Sequence, residues 1–319
     1  MILVTGGTGF IGRHLVPELV RRGEAVRVLV RDETRATGLP EAAQRAQGDL
    51  QRPETLTAPL TGIRAIVHLA AVMDGAASHA AGMQAANVDG TRALTRAANV
   101  AGVAHFVHVS SAGVYGSRHV PQPFTEADEP RPTTPYEQTK LAAERVVRDE
   151  AMEWTVLRPT GVFGPGRAQT AEFLHTVRTR RLWVFGGTDT VFNPVYVRDV
   201  VDAIVTSLES RTARGQIINV GGPTVVTYRE LVRVTARALG TPMRQLRVPR
   251  AVTRAGAGTA AAIFAAAGRP VPTRVAALRH AVVSRVVSID KARHFGVNAT
   301  PLEAAMSATV EQMSAFARS

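Results

Sequence analysis

Over the first 220 residues, short unbroken apolar runs alternate with longer stretches in which apolar residues recur every three or four positions. The runs are ILVT (2–5), AVRVLV (25–30), AIVHLA (65–70), HFVHVS (105–110), WTVLRP (154–159) and QIINVG (216–221). They are rich in valine and isoleucine and show little alternation, as expected of strands covered on both faces. A weaker strand is expected just before Gly48. Between the runs, Ile11 to Arg22, Ala85 to Ala101 and Tyr136 to Glu150 carry the spacing of amphipathic helices. Strand–helix–strand repetition of this kind predicts an α/β fold, a Rossmann-type doubly wound parallel sheet.

After Gly222 the strand rhythm fades. TYRE (227–230) and TPLE (300–303) have the form of capping boxes that start helices, the second with proline at the first helical position. The remaining chain is expected to be mainly helical, with Pro/Gly punctuation around 240–250 and 268–273. The expected division is a dinucleotide-binding domain of residues 1–160 plus about 191–221. A smaller substrate-binding cap is expected from about 161–190 plus 222–319.

Composition narrows the function classes. A chain of 319 residues with 45% hydrophobic and 20% charged residues reads as globular. The absence of cysteine excludes disulfides, thiolate nucleophiles and cysteine-based zinc sites. The chain opens on MILVTGG, already a strand and turn, so no secretory signal is expected and a cytoplasmic location follows. Its most membrane-like run, Ala255 to Gly268, is too short to span a bilayer. A net charge of +12 raises nucleic acid as a partner, but the arginines are dispersed and aromatics make up only 5%. The expectation is an arginine-rich solvated surface with affinity for anionic small molecules, with neither nucleic-acid binding nor stable membrane insertion. A homodimer is compatible with this reading.

TGGTGFIG (Thr5 to Gly12) follows the first strand and opens the first helix. Gly6, Gly9 and Gly12 let the chain turn sharply, approach a pyrophosphate and pack helix on sheet. Thr8, Phe10 and Ile11 complete the loop. The second strand ends VLVRDETR, where Arg31 and Arg35 suit a ribose 2′-phosphate and Asp32 stands between them. NADP(H) is therefore favoured over NAD(H). Asp49 and Leu50, in GDL (48–50), are placed for an adenine. Leu69, Ala70 and Ala71, in HLAA, are small enough or apolar enough for close passage of the dinucleotide.

TTPYEQTK (133–140) sets Tyr136 and Lys140 four residues apart, on one face of a helix that begins with a capping box. A free tyrosine has a pKa near 10, and lowering it by ~3 units takes about 4 kcal/mol of preference for the phenolate. A nearby ammonium supplies such preference. Only Lys140 and Lys291 are lysines among 38 Lys+Arg. A compact ammonium suits a crowded junction that a planar guanidinium does not. Ser110 and Ser111 leave the C-terminal end of another strand, where open α/β sheets bind ligands. There is no Gly-x-Ser-x-Gly elbow for a hydrolase nucleophile. The nine histidines show no metal-ligand spacing, so no metal is expected.

The combination of TGGTGFIG, GDL, HLAA, NVDGT (87–91), SSAGVYG, YEQTK, LRPTGVFGPG (157–166) and NPVYVRDVVDA resembles the extended short-chain dehydrogenase/reductase superfamily, the NAD-dependent epimerase/dehydratase family. VRVLVRD, LRPTGVFGPG and the C-terminal third resemble its dihydroflavonol-reductase and 3β-hydroxysteroid-dehydrogenase-like branch. The resemblance implies Ser111, Tyr136 and Lys140 as the catalytic triad and Asn87 as a supporting residue. It also implies that backbone from Pro159 to Val162 meets the nicotinamide amide. The implied reaction is hydride transfer to or from a carbon bearing a hydroxyl or carbonyl, with Tyr136 as general acid/base. Phe163, Arg167, Phe192 and Tyr196 are candidate substrate-side residues, and Val72 to Met83, with His79, a candidate cleft wall. A nucleotide-sugar epimerase is the alternative within the family. A non-catalytic dinucleotide-binding sensor or assembly subunit is the alternative of another class.

Overall fold

The computed structural model describes residues 1–32, 34, 36–73, 80–117, 122–150, 152–179, 182–186, 190–248 and 284–316. Seven strands form the central sheet: β1 (Ile2–Thr5), β2 (Val26–Val30), β3 (Gln44–Gln47), β4 (Ala65–His68), β5 (His105–Val109), β6 (Glu153–Pro159) and β7 (Gln216–Val220). They lie in the order β3-β2-β1-β4-β5-β6-β7 and every pairing is parallel. Ile2 pairs with Val26 on one side and Ala65 on the other. The chain thus winds outward in both directions from β1 and β4, which opens a crevice at their C-terminal ends.

The apolar runs are continuous because successive side chains feed two cores. Ile2 and Val4 pack on one face with Leu15, Val16 and Leu19 of helix α1 (Gly12–Arg21) and with Val200 and Ile204 of a later helix, Val197–Glu209. Leu3 points to the other face, against Leu94 and Ala98 of α2 (Gly90–Val100) and Val147 of α3 (Pro135–Arg148). Each fully buried valine, leucine or isoleucine among them contributes about 1.5–3 kcal/mol by removal from water.

Beyond β6 the chain builds a second, smaller packing unit. Helices Ala168–Thr179, Tyr228–Ala238 and Leu302–Phe316 share a cluster containing Leu174, Val226, Val234, Leu302 and Met306. Asn193 fastens this region to the late chain: its Nδ2 donates to the carbonyls of Gly222 and Val287, at 3.1 and 3.0 Å.

Several expectations shift in detail. The helix predicted from Ala85 starts earlier, at Ala80, and passes through a π-helical stretch, Ala85–Asp89, before α2. The late chain is less purely helical than its pattern suggests. Leu182–Gly186 pairs in parallel with Arg244–Val248, and Val191–Phe192 pairs antiparallel with Val226–Thr227. These pairings join segments far apart in sequence, so local periodicity carries little trace of them. The Thr227–Glu230 capping box is formed. Thr300 instead turns its hydroxyl and its N–H to the carboxylate of Asp199, at 2.6 and 2.9 Å. The alanine-rich run 255–268 lies outside the described residues. Among the described residues no helix is long and apolar enough to cross a membrane.

Candidate active site

At the crevice the glycines are required by space. Gly6 has φ +68°, and a Cβ on it would lie 2.7 Å from the Ala70 nitrogen and 2.9 Å from the Leu69 carbonyl carbon. The exits of β1 and β4 are therefore packed backbone to backbone. A Cβ on Gly12 would lie 2.4 Å from the Gly6 oxygen and 2.5 Å from the Gly7 Cα. Gly9 closes the turn through its N–H, 2.9 Å from the Gly6 oxygen. Helix α1 begins at Gly12 with no side-chain cap and no acidic residue in its first turn. Such an N-terminus offers N–H groups to an anion, and the Cβ-free cradle in front of it fits the diphosphate of a dinucleotide. Phe10 and Ile11, both half-buried, pack with Val162 and Phe163 against Tyr196, Val197 and Ala305.

Around the rim, Arg31 is exposed at the end of β2. The neighbouring Asp32 turns its Oδ1 back to accept from the N–H and hydroxyl of Thr34, at 2.9 and 2.6 Å. Arg35 lies outside the described residues, as does His79. Asp49 is half-buried and its Oδ1 accepts from the Gln51 N–H at 3.0 Å. Leu50 sits against the start of α2, where a Cβ on Gly90 would approach it to 3.0 Å. Leu69 and Ala70 are half-buried and Ala71 is exposed.

Helix α3 opens with the expected capping box. Thr134 Oγ1 accepts from the Glu137 N–H at 3.3 Å, and Glu137 Oε2 accepts from the Thr134 N–H at 3.1 Å. Pro135 occupies the first turn, so Tyr136 and Lys140 fall on the first two turns, the phenol half-buried and the ammonium 2% exposed. Lys140 Nζ donates to the Val109 carbonyl at the end of β5, at 2.7 Å. Burial pulls its pKa down to about 8, against the opposing charge of Glu144 one turn on. Beside it lie His68 and His108, stacked with centroids 5.4 Å apart. Burial, then the Lys140 charge, lowers both, His68 to about 3, so each is neutral at pH 7.

The two serines have different environments. Ser110 is buried and donates to Glu144 Oε1 at 2.5 Å. Glu144 in turn accepts from Arg158 Nε and Nη2, at 3.0 and 2.6 Å, and Arg158 Nη1 donates to the Tyr115 hydroxyl at 2.8 Å. Ser111 is half-buried, and its Oγ accepts from the Gly113 N–H at 3.0 Å. Asn87 reaches Tyr136 indirectly, through Thr139 of α3. Its Nδ2 donates to Thr139 Oγ1 at 3.0 Å, and it clasps the backbone of Val72 with bonds of 2.7 and 2.9 Å. Thr139 donates to the Tyr136 carbonyl at 2.9 Å.

Facing these elements, Pro159 ends β6 and is followed by Thr160, whose hydroxyl donates to the Asn193 carbonyl at 2.6 Å. Val162–Phe163 pairs in parallel with Val195–Tyr196, which sets the Phe163 and Tyr196 rings 5.8 Å apart. Phe192 packs against the cluster of the second unit, as Phe163 also does. Arg167 Nη1 donates to the Val162 carbonyl, its Nε donates to Gln169 Oε1 at 3.2 Å, and its guanidinium lies 5.6 Å from the Phe10 ring centre. Sequence reasoning missed the partners of the site: Val109, Thr139, the two stacked histidines and the buried Glu144–Arg158 pair. Glu144 alone left a signal, as an acidic residue four positions after Lys140.

Comparison with known proteins agrees with this architecture. The model of the NAD dependent epimerase/dehydratase family matches residues 2–221. A UDP-glucose 4-epimerase of Vibrio cholerae is 32% identical over 260 residues, 78% of each chain. A 4-hydroxy-2-methyl-3-oxo-4-farnesyl-3,4-dihydroquinoline-1-oxide ketoreductase of Stigmatella aurantiaca is 31% identical, with 91% of this chain and 89% of the relative covered. Among solved structures, MoeE5 in complex with UDP-glucuronic acid and NAD superposes with a TM-score of 0.75 at 26% identity over 99% of both chains. The chain belongs to the NAD dependent epimerase/dehydratase family. It is an enzyme of the extended short-chain dehydrogenase/reductase type.

Proposed function

We propose that the protein is an NADP(H)-preferring reductase or dehydrogenase acting on a hydrophobic secondary alcohol or ketone. The observation that carries this reading is the placement of Lys140: a buried ammonium tied to the exit of β5, one helical turn from Tyr136 and close to His68, whose Nδ1 lies 2.7 Å from the hydroxyl of Thr5 at the start of the glycine loop. When bound, the dinucleotide supplies hydride exchange at its nicotinamide. The chain supplies the proton chemistry. In oxidation the substrate hydroxyl loses its proton to the Tyr136 oxygen as its carbon gives up hydride; in reduction the same phenol returns the proton. Lys140 favours the phenolate, since an adjacent cation stabilises the charged form. Ser111 orients the substrate oxygen. Asn87 is a positioning residue, acting through Thr139 and Val72.

The preference for a 2′-phosphate is supported by Arg31 at the end of β2 and by the local use of the Asp32 carboxylate on Thr34. A division into residues 1–160 plus about 191–221 and a cap of about 161–190 plus 222–319 is supported by the separate cluster around Leu174, Val234 and Met306. The apolar residues Phe10, Val162 and Phe163 beside the crevice suit a hydrophobic substrate, in keeping with the name of the Stigmatella relative. A nucleotide-sugar epimerase is the second reading, favoured by the name of the Vibrio relative.

Thermal melts with NADPH and NADH in parallel test the cofactor assignment, because a ligand of the native state raises the melting temperature according to its affinity. The larger shift is expected with NADPH, and a larger one with NADH overturns the preference. Tyr136→Phe should bind dinucleotide normally and lose at least about a hundredfold in kcat; full turnover removes the assigned role.

A further inference from the structure

Arg167 differs from the two other arginines packed beside the site. Arg158 pairs with Glu144 at 2.6 Å and Arg285 with Glu137 at 2.7 Å. Arg167 is half-buried, yet among the described residues no carboxylate pairs with it. Its bonds go to two neutral acceptors, the Val162 carbonyl and the Gln169 amide, and one side faces the Phe10 ring. Burial weakens its hold on its proton, and Tyr136 is the group whose charge opposes that effect. A partly desolvated cation without a counter-charge gains much from an incoming anion, and a guanidinium offers the forked donors that match phosphate and carboxylate. Its neighbours fix where that anion would lie. Phe10 belongs to the glycine loop, and Val162 leaves β6.

We propose that Arg167 is an oxyanion-binding residue of the cleft, taking a phosphate or carboxylate oxygen of a ligand that lies between the glycine loop and Tyr136. The placement of that ligand rests on the dinucleotide reading of the crevice. The oxyanion has two sources: the diphosphate of the dinucleotide itself, or an acidic group on the substrate. In the second case the enzyme accepts a phosphorylated or carboxylated substrate, and the apolar residues nearby hold only its reacting portion.

Titration calorimetry with wild type, Arg167→Met and Arg167→Lys separates these outcomes. The probes are NADH, NADPH and inorganic pyrophosphate on the free protein, and UDP on protein saturated with the tighter dinucleotide. Arg167→Met is expected to lose about tenfold or more in affinity for at least one probe, the scale of a charge-assisted bond, with Arg167→Lys recovering part of the loss. A loss confined to the dinucleotides and pyrophosphate assigns the oxyanion to the cofactor. Dinucleotide affinity held within twofold, with UDP weakened tenfold, assigns it to the substrate. The proposal is overturned if Arg167→Met binds every probe within twofold of wild type, or if wild type binds none of them. Wild type that binds pyrophosphate through Arg167 but neither dinucleotide defeats the cofactor reading and leaves the oxyanion site standing. Thermal melts of both variants without ligand confirm that the fold is retained. A misfolded Arg167→Met variant leaves Arg167→Lys to decide: it should weaken the same probes by a smaller factor, and wild-type affinities in it overturn the proposal.

Discussion

The ammonium of Lys140 and the carbonyl oxygen of Val109 lie 2.7 Å apart, one helical turn from Tyr136 and close to the stacked rings of His68 and His108. That relationship accounts for a lysine in a chain whose other cations, Lys291 excepted, are arginines. A guanidinium brings five donors in a fixed plane, more than a buried site can satisfy with one free carbonyl, two neutral imidazoles and a Glu144 carboxylate already bonded to Ser110 and Arg158. Lys140→Arg should therefore fail to rescue Lys140→Met. Both are expected to lose about a hundredfold or more in kcat at neutral pH, the usual share of a tuned proton-transfer group. Steady-state rates, checked against thermal melts of each variant, decide this. Arginine at position 140 with wild-type turnover would show that only the charge matters.

Ser110 and Ser111 are adjacent in sequence and opposite in consequence. Ser110→Ala removes a donor from the buried Glu144 and should cost about 1–3 kcal/mol of stability, with kcat changed only severalfold. Ser111→Ala breaks only a local turn bond and should leave stability nearly intact, while kcat falls about a hundredfold or more through loss of a donor to the substrate oxygen. Urea unfolding and kinetics on both variants test the split. The reverse pattern would move the catalytic hydroxyl to Ser110.

Glycine substitutions separate a turn from a cofactor cradle. Alanine at Gly12 would press its methyl into the Gly6 carbonyl and the Gly7 Cα, backbone that has no free end to yield. The expected cost is about 1–3 kcal/mol with loss of dinucleotide binding, since the loop must open to admit the Cβ. Gly23, unlike Gly12, has a positive φ, +81°, but a methyl group there would meet nothing within 4 Å. Gly23→Ala should cost about 1–2 kcal/mol from backbone strain alone and bind dinucleotide as wild type does. Calorimetric affinities for both variants provide the check.

Much of this arrangement is written locally. The β1, β5 and β7 runs carry their own apolar signal, and Thr134 with Glu137 announces the start of α3 before Lys140 is reached. The glycine loop is legible because Gly6 and Gly12 answer constraints within one turn of chain. What could not be read are contacts closed by the fold. Val109 serves Lys140 through a carbonyl, which no residue type encodes, and Glu144 meets Ser110 and Arg158 only once α3 lies against β5 and β6. His68 and His108 fall in unbroken strand runs, so their stacking follows from the β4–β5 register and not from any spacing.

Those histidines set the acid limit of the fold. Burial lowers His68 to about 3 and His105 to about 4, and holds His108 well below 6.5. All three are neutral in the native protein at pH 7, while in the unfolded chain they regain ordinary values near 6.5. Below that pH the unfolded state binds the extra protons, so stability is complete above about pH 6.5 and is lost as pH falls toward the depressed native values. Each histidine contributes a slope approaching about 1.4 kcal/mol per pH unit, and the three together about 4. Glu18, held at about 2 chiefly by its hydrogen bond to Arg21, weakens the fold only below about pH 4.5, so the range from pH 6.5 to 5 belongs mainly to imidazole. Among the described residues, His108 has no hydrogen-bond partner on either ring nitrogen. His108→Phe therefore loses no bond at pH 7 and should be as stable as wild type or more so. Between pH 6.5 and 5 its unfolding free energy, measured in urea, should fall less steeply than that of wild type, by up to about 1.4 kcal/mol per pH unit. An unchanged slope would mean that His108 is protonated in the native state and that a buried counter-charge or water holds it so.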